Sequence, residues 1–357
     1  MKRKQPTVFV GVSGGVDSSV AAALLLQKGY DVVGCFIKTW QPDFIECTWR
    51  QERRDAMRVC AQLGIPFVTI DAEREYKENV GEYMIEEYKK GRTPNPDVMC
   101  NKEVKFGIFL RKAKEMGADF IATGHYARRE EKNGKVLMKK GVDEKKDQTY
   151  FLWTLGQSQL NNILFPIGDL PKEKVRQIAK EQGLFTADKK DSQGVCFLGE
   201  IDMKDFLGHY IEKKPGNVLN ISSEIIGSHD GALFFTYGER HGFEIAKKGT
   251  QDKPLYVVDK DILANTITVS ENISDRKNFD NPNSIQIENT VWNDCIEYGK
   301  EYTAIVRYNQ APQTCTIQRG QKNTAIVTFD EPQYNFSPGQ SVVVYDGDQC
   351  LGGGIIC

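Results

Sequence analysis

The chain has 357 residues, of which 40% are hydrophobic and 27% charged, and its formal net charge is −2. That length holds two or three domains with real cores, and the composition is globular, without low-complexity tracts. So small a net charge excludes nucleic-acid binding by bulk attraction and leaves only local patches.

In chain order, strands are predicted at 7–12, 32–38, 67–71 and 120–125. Helices are predicted between them at 18–28, 50–63, 76–90 and 102–116, each followed closely by a stop glycine: Gly29, Gly64, Gly91 and Gly117. This alternation implies a doubly wound, mostly parallel α/β sheet. Ligands of such sheets bind beyond the carboxyl ends of the strands, where Ser13, Lys38, Asp71 and Gly124-His125 fall. The segment 128–146 carries eight basic residues against four acids and reads as a solvated hairpin around Asn133-Gly134 or as a nucleic-acid patch. A further helix reads at 171–183, followed by the turn-rich stretch 188–194.

After about residue 200 the pattern changes. Short β-rich runs at 255–258, 266–269, 302–308, 314–318, 324–329 and 341–345 alternate with Asn, Gly, Pro and Asp turns. A small mixed central domain followed by an antiparallel β-barrel is expected, with domains at 1–200, 201–277 and 278–357. The longest apolar run, Val20 to Leu26, is too short to cross a membrane, and the basic start breaks too soon for a signal peptide. Nine irregularly spaced cysteines without a CxxC pair, beside four histidines, argue for reduced thiols in the cytoplasm rather than zinc or a disulfide framework.

The most informative stretch joins the first strand to the first helix: Gly11, Val12, Ser13, Gly14, Gly15, Val16, Asp17, Ser18. Backbone N–H groups of a glycine turn and a helix N-terminus make an anion site, and Ser13 and Ser18 offer hydroxyls. The Walker lysine is missing, so γ-phosphoryl transfer is not indicated. Asp17 should repel phosphate; it fits as the helix N-cap and could assist a bridging Mg²⁺. The string SGGVDS resembles the PP-loop ATP pyrophosphatase signature, whose families cleave ATP between the α and β phosphates to adenylate a substrate.

Two cysteines stand in polar, turn-rich settings. Cys100 closes the proline-stiffened loop GRTPNPDVMC, and Asp97, three residues earlier, would share its side of a helix and could accept a proton. Cys196 follows Lys189 and Lys190, which could lower its pKa. Cys35, Cys60, Cys295 and Cys315 read as packing residues.

The segments GRTPNPDVMCN, ATGHYAR, KDQTYFL, KKDSQGVCF, PLYVVDKD, VRYNQAP and PGQSVVVYDGDQCLGGGII, with the loop, resemble the bacterial tRNA-specific 2-thiouridylase family over nearly the whole chain. The resemblance implies an adenine-nucleotide α-hydrolase-like domain, a small central domain and a C-terminal barrel. It implies ATP with Mg²⁺, a tRNA of the Lys, Glu or Gln type, and an upstream sulfur-relay protein or cysteine desulfurase. Cys196 matches the persulfide carrier, Cys100 the second cysteine that forms a disulfide with it, and Asp97 the acid/base. ATP contacts carry over to Gly11–Ser18, to Ile37 after the second strand, and to Gly124. Contacts with tRNA carry over to Asn95, Pro96, Asp97, His125, Lys146, Asp147, Gln148, Arg307, Tyr308 and Gln340. Gln193, where the family favours Thr, and the looser His241-Gly242-Phe243-Glu244 depart from the pattern. Other PP-loop tRNA modifiers, of the 4-thiouridine or lysidine type, and a non-catalytic ATP-dependent RNA-binding protein are the alternatives.

Overall fold

The computed structural model describes residues 5–45, 48–191, 202–246, 253–276 and 281–357. Cys196, Gln193 and the expected domain boundaries at 200/201 and 277/278 lie outside them.

Strand β1 (Thr7–Gly11) is central because its Val8, Phe9 and Val10 are buried between two helical layers. It pairs in parallel with β2 (Asp31–Lys38) on one side and β4 (Phe120–Ala122) on the other. With β3 (Phe67–Asp71) and β7 (Ile163–Leu164) the order is β3-β2-β1-β4-β7, all parallel. The chain winds outward in both directions from β1. The crevice at that switch point is the ligand position of such sheets.

Helices α1 (Val16–Gln27) and α2 (Trp49–Leu63) pack on this sheet, and the four expected stop glycines all have positive φ, from 67° to 89°. Two helical stretches differ from the prediction. The third predicted helix runs over 73–89 with a π-type turn at Lys77–Glu82. The fourth begins at Pro96 rather than 102 and continues through the π-type segment Cys100–Ile108 to Glu115. Asn95 explains the early start: its Oδ1 accepts from the N–H of Asp97 and Val98, and Pro96 occupies the first helical position. Ile37 lies inside β2, opposite Ile70, and not after the strand as expected.

The basic segment forms the hairpin β5 (Ala127–Lys132) and β6 (Lys135–Lys140) around Asn133-Gly134. Four of its cations are matched by acids: Arg128 with Asp348, Arg129 with Glu131, Lys135 with Asp294, and Lys139 with Glu130 and Asp348. Two of those acids come from the C-terminal region, so the charge run serves docking between units.

The central sheet has the order β10-β9-β8-β12-β11, from β8 (Gly216–Leu219), β9 (Ile225–His229), β10 (Phe243–Ile245), β11 (Tyr256–Asp261) and β12 (Thr266–Ser270). Beyond it lie β13 (Ser284–Trp292), β14 (Glu301–Ile305), β15 (Gln313–Arg319), β16 (Ala325–Phe329), β17 (Ser341–Asp346) and β18 (Gln349–Ile356). Among the described residues these six close into an antiparallel barrel through the β13–β18 pairing, around Ile287, Ala304, Ile317, Val327 and Val344. Tyr308 falls three residues past the end of β14 and not within a strand. Cys35, Cys60 and Cys315 are buried thiols, pushed by burial to about 12, about 11 and about 12, as packing residues should be. Cys295 is exposed in the turn after β13, which corrects its assignment to the core. No helix among the described residues is long and apolar enough to cross a membrane.

Candidate functional site

The glycine loop stands at the carboxyl end of β1, between β2 and β4. Val12 donates its N–H to Cys35 in β2, fixing the exit from the sheet. Ser13 N–H donates to Ser18 Oγ at 3.2 Å, and the two hydroxyls are 3.3 Å apart. Gly14 has φ +75°, and a Cβ there would lie 2.7 Å from Asp55 Cβ. Across the crevice a Cβ on Gly124 would lie 2.6 Å from Ser18 N and 2.7 Å from Asp17 C. Both glycines are therefore required by close backbone approach. Gly11 packs under Phe109, and Val16 is buried at the start of α1.

The helix N-cap is Gly15, without a side-chain cap, so Asp17 does not play the capping role expected of it. Its carboxylate instead receives Lys172 Nζ at 2.7 and 2.8 Å and Tyr126 Oη at 2.8 Å. Lys172, 9% exposed, also reaches Asp191 at 2.8 Å, and Asp191 takes Lys146 and Arg176 as well. Burial works to raise the Asp191 pKa, but the hydrogen bonds from Lys172 and Lys146 outweigh it and hold the carboxyl at about 2. The loop is thus wired through Asp17 to the stretch that runs toward Cys196. Lys172 and Tyr126 were not legible as site residues, because one lysine in an amphipathic helix and one tyrosine after a strand carry no local signal.

Cys100 is 1% exposed, in the core between the first and central units. Its N–H donates to Pro96 and Asp97 carbonyls, so Asp97 and Cys100 lie on one helical stretch, as their spacing implied. Pro96 is buried; Asn95 and Asp97 are partly exposed. His125 is buried, its Nδ1 2.8 Å from Thr123 Oγ1, and burial and then Lys105 push its pKa well below the ordinary value, keeping the ring neutral.

The other expected tRNA residues already hold local structure. Lys146 pairs with Asp191, and Asp147 accepts from Gly141 N–H, Thr149 N–H and Thr149 Oγ1. Gln148 Oε1 accepts from Tyr126 N–H, and Gln340 Oε1 from Ser337 N–H. Arg307 donates to Asn335 Oδ1 at 2.7 Å, and the Tyr308 ring lies 4.4 Å from Phe151. That contact and the one with Tyr150 place the barrel turn against 150–151, and burial, then Asp147, raises the Tyr308 hydroxyl pKa.

Among the described residues no cluster of three or more His, Cys, Asp or Glu could hold a metal. Asp17, the one carboxylate in the loop, is engaged by Lys172 and Tyr126. Among the described residues the loop thus offers Mg²⁺ no uncommitted carboxylate.

A parallel sheet wound outward from β1, with a lysine-free glycine loop and a C-terminal barrel, defines a HUP-type nucleotide-binding protein with appended β units. Three family models match in sequence: a tRNA methyl transferase HUP domain over 6–200, a tRNA methyl transferase PRC-barrel domain over 204–271, and an aminomethyltransferase beta-barrel domain over 282–356. The tRNA-specific 2-thiouridylase MnmA of Bacillus licheniformis is 47% identical, covering 99% of this chain and 96% of its own. That of Bacillus subtilis is likewise 47% identical, with the same coverage. A solved 4-thiouridine synthetase–RNA complex with bound ATP is 19% identical with a TM-score of 0.39, covering 57% of this chain and 50% of its own. The chain belongs to the MnmA family of tRNA-specific 2-thiouridylases.

Proposed function

We propose that this protein is the ATP-dependent sulfurtransferase that makes 2-thiouridine at the wobble position of tRNA of the Lys, Glu or Gln type. The observation that carries the reading is 47% identity, over 99% of the chain, to tRNA-specific 2-thiouridylases. The family models carry the name of methyl transfer, a different chemistry; the loop favours adenylation, since methyl transfer has no use for a pyrophosphate-binding turn.

The uracil C2 oxygen leaves poorly as oxide. Its attack on the α-phosphorus of ATP expels pyrophosphate and makes the oxygen part of AMP, a good leaving group. The loop's N–H groups and the α1 N-terminus neutralise the charge on the departing pyrophosphate. ATP contacts are assigned to Gly11–Ser18, Ile37 and Gly124. Mg²⁺, arriving with ATP, supplies further phosphate neutralisation when bound.

Cys196 carries the incoming sulfur as a persulfide, loaded by a sulfur-relay protein or cysteine desulfurase. Cys100 thiolate attacks the Cys196 sulfur. The S–S bond of the persulfide breaks, its terminal sulfur goes to C2 directly or as sulfide, and AMP departs. A Cys100–Cys196 disulfide is left for a cytoplasmic reductant to open. Asp97 serves as acid/base beside the base. The tRNA contacts are assigned to Asn95, Pro96, Asp97, His125, Lys146, Asp147, Gln148, Arg307, Tyr308 and Gln340.

The test combines ATP, Mg²⁺, a persulfide or sulfide source and tRNA, followed by mass spectrometry of the nucleosides. 2-Thiouridine is expected; a methylated base, or 4-thiouridine in its place, overturns the reading. Cys196→Ser should abolish persulfide-dependent transfer and leave ATP binding intact.

A further inference from the structure

We infer that Lys189 is a positioning residue for the ATP loop, and not a group that tunes the Cys196 thiol. Its Nζ donates to the Gly14 carbonyl at 3.1 Å and to Asp55 Oδ2 at 2.7 Å. Asp55 is 7% exposed and is itself held by Gln51 at 3.0 Å. The charge that the sequence offered to Cys196 is therefore committed at the loop.

The consequence follows from peptide geometry. In a trans peptide the C=O and N–H point to opposite sides. No cis peptide occurs among the described residues, so fixing the Gly14 carbonyl on Lys189 aims the Gly15 N–H the other way. That N–H has no acceptor among the described residues, and it stands directly before the 12-residue helix α1. Gly14 is held from the same side by α2, whose Asp55 Cβ leaves no room for a side chain. Lys189 and Asp55 together thus keep one donor of the anion site pointing outward before any ligand arrives. Such preorganisation is what an anion site gains most from.

The inference rests on the ATP reading above, and the experiment separates the two. Binding of ATP and of inorganic pyrophosphate is measured by equilibrium dialysis for the wild type, Lys189→Met and Lys189→Arg, with thermal melts. The pH profile of Cys196 alkylation is followed in parallel by residue-resolved mass spectrometry. Lys189→Met should weaken both ligands about tenfold, the size expected when one charge-assisted hydrogen bond is lost. Lys189→Arg should restore binding, and the alkylation midpoint of Cys196 should stay where it is in the wild type. Unchanged binding in Lys189→Met overturns the inference, as does an alkylation midpoint that rises while binding holds. Equal loss in both variants with a lowered melting temperature also counts against it. A wild-type protein that binds neither ligand removes the ATP reading itself.

Discussion

Arg92 and Glu288 stand 196 residues apart in the chain and meet at 2.7 Å. Arg92 also lies 2.8 Å from buried Glu87 and donates to the Ile356 carbonyl at 3.1 Å. Next to it, Thr93 N–H donates to Pro338 at 2.7 Å, and its hydroxyl is 3.1 Å from that of Thr236. The stretch leading into Asp97 and Cys100 is therefore gripped by both the central unit and the barrel. Arg92→Ala should cost about 2 kcal/mol, because it leaves Glu87 buried with one fewer partner. A lower first unfolding transition in denaturant is the expected result, with Arg92→Lys intermediate.

Gly124→Ala should weaken ATP binding without unfolding the protein. The added methyl would meet Ser18 N at 2.6 Å and Asp17 C at 2.7 Å, both backbone atoms that side-chain rotation cannot relieve. Strand β4 and the start of α1 would be pushed apart, at about 1–3 kcal/mol for such overpacking. Calorimetric ATP titration checks it; wild-type affinity would show that the crevice is looser than its contacts imply.

Asp191 makes stability depend on acid pH. Its folded pKa of about 2 lies below the ordinary 3.8, so its contribution is full above about pH 4 and is lost as pH falls toward 2. Asp191→Asn should flatten the pH dependence of urea unfolding in that window. It should also lower stability at neutral pH, since Lys146, Lys172 and Arg176 lose their shared carboxylate.

His125 acts in the same direction at a higher pH. Its folded pKa lies well below 6.5, so the unfolded chain gains a proton first and stability falls as pH drops below 6.5. Its imidazole signals in NMR should not titrate between pH 8 and 6. A midpoint near 6.5 would mean that the ring is open to water.

Much of the first domain was legible because its signals are local. Strand–helix alternation, stop glycines with positive φ, and the SGGVDS turn each depend on a few neighbouring residues, and β1 to β4 lie close to where periodicity puts them. The early start of the Cys100 helix was missed, although Asn95-Pro96 carries its local signal, an N-cap followed by a first-turn proline. The short central strands β8 to β10 gave little pattern, being three to five residues long and only partly buried.

The sequence by itself determined that the chain carries a phosphate-type turn without a Walker lysine, on a parallel sheet; it put Cys100 in a polar loop, whereas the fold buries that thiol on a helical stretch in an apolar core. Tertiary structure alone decided what surrounds that turn. Asp17 faces Lys172, 155 residues away, Gly14 faces Lys189, 175 residues away, and Arg128, Lys135 and Lys139 of the basic hairpin pair with acids of the C-terminal region. The physical reason is that capping, turns and periodicity act over a few residues, whereas the partner of a charge is chosen by whichever element the fold packs against it.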